Sequence, residues 1–128
     1  MAETNPRQRP LSPHLTIYRP QLTSIASILN RLTGISLIVA AFLAVWWLLA
    51  AATSLAAYDH ANGIVTSWFG DLVMTLSLWA LWYHYLGGLR HLLFDAGHGL
   101  EVEMAEKLGW AVVAGSVILT ILTLIIIQ

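Results

Sequence analysis

No cysteine occurs among the 128 residues, so disulfides, thiolate metal sites and cysteine-held iron–sulfur clusters are excluded from this chain. Any metal chemistry has to use histidine or a carboxylate. Charge is scarce as well: Asp, Glu, Lys and Arg make up 10% of the sequence against a hydrophobic share of 58%, far from the balance of a soluble domain. The net charge of −1 supports neither nucleic-acid binding nor a polybasic lipid patch. Proline is confined to Pro6, Pro10, Pro13 and Pro20, so the rest of the chain is free of the strongest helix breaker. The opening Met-Ala-Glu-Thr-Asn has neither the basic start and apolar core of a cleaved signal nor the Arg-rich, acid-poor character of a transit peptide.

What is present is hydrocarbon, with a mean hydropathy of +0.72. Three runs carry no Asp, Glu, Lys or Arg: Leu32 to Tyr58, Leu72 to Leu89 and Leu108 to Ile127. A bilayer core of roughly 30 Å needs about 20 helical residues, so an all-α membrane protein with three transmembrane helices is expected. With flanking residues, the spans fall at about 22–58, 68–91 and 108–127. The middle run is short, and Trp68, Phe69, Gly70 and a snorkelling Arg90 extend it. Arg7, Arg9, Arg19 and Arg31 precede the first span, Arg90 and Lys107 lie between the second and third, and the loop Asp59 to Asp71 has no cation. The positive-inside rule then puts the amino terminus in the cytoplasm, or in the matrix of a mitochondrion, and the lack of a transit-like start makes a bacterial inner membrane the simpler reading.

The prolines make residues 1–21 an extended or turned arm on the inner face, with residues 22–128 forming the transmembrane domain. Leu11, Leu15, Ile17 and Tyr18 give the arm more apolar character than a disordered tail has. From Leu22 the first helix carries Ser24, Ser27, Arg31 and Gly34 on one face, a polar stripe at the inner mouth of the membrane. Either this stripe binds something, or Arg31 snorkels to lipid phosphate while the serines bond back to carbonyls.

His84 lies deep in the uncharged middle run, where an imidazole cannot take hydrogen bonds from bulk water. Ser77, Ala80, His84, Gly87, Gly88, His91 and Asp95 share its helical face, which is small apart from the histidines and the carboxylate. Close helix packing with His84 bonded across the interface accounts for such a face. So does a porphyrin, which needs a glycine-lined approach beside an axial imidazole. His84 sits seven residues before His91, about 10 Å below the inner interface, the side at which Arg31 enters. Farther on, Gly97 and Gly99 interrupt the pattern and Leu100 to Leu108 reads as an amphipathic connector with a solvated acidic face. The third span, with Ala111, Ala114, Gly115 and Ser116, reads as a packing helix. His14, His60 and His98 lie outside the spans and receive no role.

Two blocks carry a resemblance. Arg9-Pro10-Leu11-Ser12-Pro13-His14-Leu15 with Ile17-Tyr18, followed by Ser24-Ile25-Ala26-Ser27-Ile28-Leu29-Asn30-Arg31-Leu32-Thr33-Gly34, resembles the cytochrome b membrane-anchor subunit of succinate dehydrogenase, the C subunit of complex II. His84 with Gly88-Leu89-Arg90-His91-Leu92-Leu93-Phe94-Asp95-Ala96-Gly97 is similar to the H-x₆-H-x₃-D-x-G segment of that family. The resemblance implies a three-helix anchor that forms a haem-binding bundle with a second anchor subunit and carries an iron–sulfur and a flavoprotein subunit. It implies His84 as one axial ligand of the iron of a shared haem b, the other ligand lying on the second anchor. It further implies Ser27 and Arg31 at the ubiquinone pocket, with Arg31 and His91 near the haem propionates. One departure stands out: Asn30 occupies a position that is histidine in many members, and asparagine cannot carry a proton by titrating.

On this reading electrons arrive from the iron–sulfur subunit, and Ser27 and Arg31 stabilise charge on the reduced quinone. The rival classes are a haem-free structural anchor and a small transporter subunit. Against the transporter, the intramembrane polar groups cluster in the inner half and no acidic residue continues the path outward.

Overall fold

A computed structural model describes residues 14–127, and every regular element among them is helical. The first thirteen residues of the expected arm lie outside the described part. From His14 the chain makes a turn in which the Ile17 and Tyr18 amides donate to the His14 carbonyl. The Tyr18 hydroxyl donates to Ser24 Oγ at 3.0 Å, and Ser24 Oγ donates to the Gln21 carbonyl at 2.9 Å. These bonds tie the end of the arm to the first turn of α1 (Leu22–Thr53).

The uncharged run that the sequence carries as far as residue 58 contains a break. Helix α1 ends at Thr53, Ser54 is extended at φ −164° and ψ 158°, and a separate helix α2 (Leu55–Val65) follows. The Ser54 hydroxyl accepts from the Ala57 amide at 3.2 Å, an N-cap that satisfies one of the orphan donors of the new helix. Trp47 fixes α2 against α1: its indole donates to Asn62 Oδ1 at 3.3 Å and its ring lies 6.0 Å from that of Tyr58. Most of the expected loop from Asp59 to Asp71 is therefore helix.

Helix α3 (Trp68–Asp95) leaves α2 at a bend of 74°. Ser67 caps it by accepting from the Gly70 amide at 3.1 Å. A Cβ at Gly70 would run into the Ile64 and Val65 carbonyls, so the bend is this tight only with glycine there. Helix α3 stops at Gly97, whose positive φ of 77° lets the His98 amide reach the Leu93 carbonyl at 2.9 Å, a Schellman ending. Helix α4 (Val102–Ile127) begins inside the segment expected as a connector, so Val102 to Leu108 form its first turns. Helices α1 and α4 are each long and apolar enough to cross a membrane, and α3 qualifies with α2 as a bent pair.

The helices meet through small residues. Ala26 of α1, Ala80 and Gly87 of α3, and Ala105, Gly109, Ser116 and Thr120 of α4 are all buried, as close backbone approach requires where solvent is lipid. Of the small residues expected to pack in the third span, Gly115 and Ser116 do so, whereas Ala111 and Ala114 are exposed. The Trp82 indole donates to Thr123 Oγ1 at 3.0 Å and joins α3 to α4. Arg90, expected to snorkel outward, is only 8% exposed. Its Nη2 donates to the Ala105 carbonyl at 3.0 Å, and its guanidinium lies 4.7 Å from the Phe94 ring centroid, so it turns inward and pins α4. Large apolar side chains such as Phe42, Leu92 and Ile126 are exposed, consistent with a surface meeting lipid or other helices.

Candidate functional site

The site grows from the crossing of α1 and α3. His84 Nδ1 lies 3.0 Å from the Asn30 carbonyl oxygen, 54 residues earlier in the chain, and 3.5 Å from Thr33 Oγ1. A carbonyl can only accept, so the 3.0 Å contact requires the proton on Nδ1 and leaves a lone pair on Nε2. A metal-binding imidazole is held in this way, with its second nitrogen donating to a fixed acceptor. The approach depends on two glycines. A Cβ at Gly34 would stand 2.9 Å from His84 Cε1, and one at Gly87 would overlap Asn30 Oδ1. Below this contact Tyr83, 1% exposed, points its hydroxyl at the Ala26 carbonyl at 3.5 Å and packs its ring 5.5 Å from Trp79.

The face expected to run from Ser77 to Asp95 is divided. Ala80 and Gly87 are buried, Ser77 and His84 are half-buried, and His91 and Asp95 are exposed. Gly88, one turn beyond His84, has no atom within 4 Å of a Cβ position. A flat group can therefore lie against the Gly88 side of α3 without meeting this chain, beside an imidazole with an available lone pair. Among the described residues no three His, Asp or Glu side chains come together, and at the crossing His84 offers one nitrogen lone pair. A porphyrin, which brings four nitrogen ligands of its own, fits that donor set.

Ser27 is half-buried and Arg31 is exposed one turn later. Of their stripe, Ser24 is taken up in holding the arm and Gly34 faces His84. No hydrogen bond joins Ser27, Arg31, His84 and His91 to one another; the His91 ring lies edge-on to Phe94 at 6.5 Å. The residues around His84 that the sequence reading did not mark are Thr33, the Asn30 main chain and Tyr83. Thr33 sits on the α1 face that carries Ala26 and Asn30 at spacings of seven and three, and that periodicity was the available signal. An apolar groove of about 390 Å³ between α1, α2 and α3 includes Trp46, Phe69 and Val73 and touches none of these residues.

The fold and site together define a multi-helix membrane subunit with one structurally held imidazole at a helix crossing. Residues 5–123 match the model of the succinate dehydrogenase/fumarate reductase transmembrane subunit family. Over 126 residues the chain is 53% identical to the succinate dehydrogenase cytochrome b556 subunit of Paracoccus denitrificans, covering 98% of this chain and 97% of that one. It is 40% identical to the cytochrome b556 subunit of Rickettsia conorii over 116 residues, 90% of each chain. To the cytochrome b560 subunit of Reclinomonas americana it is 34% identical over 123 residues, 92% of this chain and 85% of that one. The chain belongs to the succinate dehydrogenase/fumarate reductase transmembrane subunit family, the family that its two sequence blocks resemble.

Proposed function

We propose that this chain is a membrane-anchor cytochrome b subunit of succinate:quinone oxidoreductase in which His84 Nε2 is one axial ligand of haem b. The observation that carries the reading is the bond from His84 Nδ1 to the Asn30 carbonyl at 3.0 Å, which orients the ring and leaves the Nε2 lone pair free to coordinate. The haem is shared with a second anchor subunit, because this chain offers a single deep imidazole; its other ligand comes from that partner. When bound, haem b supplies a one-electron carrier. His91, exposed one helical turn or so inward of Gly88, would stand toward the propionate side.

Ser27 and Arg31 would form part of the ubiquinone site. Each can aim a donor from the inner end of α1, and Arg31 supplies most of the stabilisation of negative charge building on a quinone oxygen. Protons and the remaining contacts come from partners, since the chain offers no carboxylate at that level of α1. An iron–sulfur subunit and a flavoprotein subunit complete the assembly on the inner face. All six Lys and Arg residues lie on the side assigned to that face, which supports an amino terminus on the inner, cytoplasmic side, and the similarity to the Paracoccus and Rickettsia subunits supports a bacterial inner membrane.

The test is the reduced-minus-oxidised spectrum of the purified complex with His84→Leu. Loss or strong perturbation of the b-type band is expected. A spectrum identical to that of the unmodified complex would move the ligand role elsewhere and favour a haem-free anchor, in which the Asn30–His84 bond is simply a helix contact.

A further inference from the structure

We propose that Thr33 is a positioning residue for His84, an inference that rests on the haem-ligand reading above. Thr33 is 4% exposed. Its single hydroxyl proton is shared between the Leu29 carbonyl at 2.8 Å and the Asn30 carbonyl at 3.0 Å. The Asn30 carbonyl is thus the meeting point of two side chains, the Thr33 hydroxyl from its own helix and the His84 ring from α3. A carbonyl oxygen has two lone pairs and in a helix usually serves one amide, so this one is drawn beyond its ordinary ladder role.

The Thr33 side chain is suited to doing this. A β-branched residue is stiff at χ1 in a helix, and a hydroxyl that bonds back three or four residues pulls carbonyls aside and bends the helix. Held in that way, the Asn30 carbonyl points toward α3 at the level of His84. Gly34, the next residue, leaves room for the ring to come close enough to use it. The oxygen Thr33 controls is the acceptor that keeps the proton on Nδ1 and raises the donor strength of Nε2. Donor strength of the axial ligand is one of the protein's means of setting an iron potential.

The contact is made by main chain at position 30, so it does not depend on that residue being histidine. This accounts for why Asn30 is compatible with an intact His84 environment. The Asn30 amide side chain points elsewhere, its buried Oδ1 lying against Gly87 without a hydrogen-bond partner.

The experiment compares Thr33→Val and Thr33→Ser in the intact purified complex, reading the haem midpoint potential and the α-band of the reduced-minus-oxidised spectrum. Valine keeps the shape and removes the hydroxyl, so the Asn30 carbonyl relaxes and Nε2 becomes a weaker donor. The potential should rise, the band should shift, and haem should be retained roughly tenfold less firmly. Serine should restore all three. If the valine complex does not assemble, Thr33→Ala serves with the same expectation. An unmoved potential and band in the hydroxyl-free variant would overturn the proposal, as would a change that serine fails to reverse, since packing alone would then explain it. A complex with no b-type band before any substitution removes the ligand reading itself; a normal band that Thr33→Val leaves unmoved removes only the role of Thr33.

Discussion

Replacing Gly34 with alanine introduces one methyl group at the α1–α3 crossing, beside the His84 ring. The new Cβ would stand 2.9 Å from His84 Cε1 and 3.4 Å from Nδ1, whereas carbon atoms rest at about 3.5–4.0 Å. The ring must therefore retreat by roughly 0.6–1 Å. Added to the present 3.0 Å separation of Nδ1 from the Asn30 carbonyl, that movement takes the pair past hydrogen-bonding range. The lost bond is worth about 0.5–1.5 kcal/mol and the overpacking about 1–3 kcal/mol. Alanine's better helix propensity gives back about 1 kcal/mol. A net loss of about 0.5–3.5 kcal/mol corresponds to a fall in haem retention of roughly 2- to 400-fold. Haem content per purified complex, read with the reduced-minus-oxidised band and a thermal melt, measures it. Full haem content with an unshifted band and melt would refute the reasoning. Gly88→Ala is the informative companion: nothing in this chain lies within 4 Å of the added carbon, so any spectral change there reports a group outside the chain.

Gly87→Ala should lower the melting temperature of the complex, because its Cβ overlaps Asn30 Oδ1 at a cost of about 1–3 kcal/mol; Asn30→Ala in the same chain should recover most of it, and a melt that the second substitution leaves unchanged would put the strain elsewhere. Trp82→Phe and Thr123→Val each remove the 3.0 Å bond between α3 and α4 and should destabilise by about 0.5–1.5 kcal/mol, with the double variant little worse than either single one; full additivity in the melts would show that the two groups do not interact. Arg31→Leu should abolish quinone reduction while succinate oxidation by an artificial acceptor continues, and normal quinone turnover would take Arg31 out of the site.

The helical architecture and the place of His84 well inside an apolar helix were legible because both follow from where charge is missing. The break at Ser54 was not, since no proline, glycine or charge marks it; Ser54 acts through its extended backbone and its bond to the Ala57 amide, which composition does not register. Arg90 was misread for a related reason. A long cation near a span end usually reaches for the interface, but here the Ala105 carbonyl of the next helix offers a nearer acceptor. The periodicity placed Ala80, His84, Gly87, Gly88, His91 and Asp95 together without telling which were covered. The answer depends on where α1 crosses, and that crossing is set by glycines on both helices, Gly34 and Gly87. The partner of His84 was illegible by nature, because a main-chain carbonyl is present at every position and only the fold selects one.

From Leu22 to Asp95 only Ser54, Thr66 and Ser67 stand outside a helix. This stretch thus presents almost no slack polypeptide for a protease to grip, even where helix α2 is exposed. Reporter tags for topology mapping inserted at either joint would lengthen it and let α2 swing away from Trp47. Single-residue labels exchanged for the exposed Asp59 or His60 leave both joints at their native length.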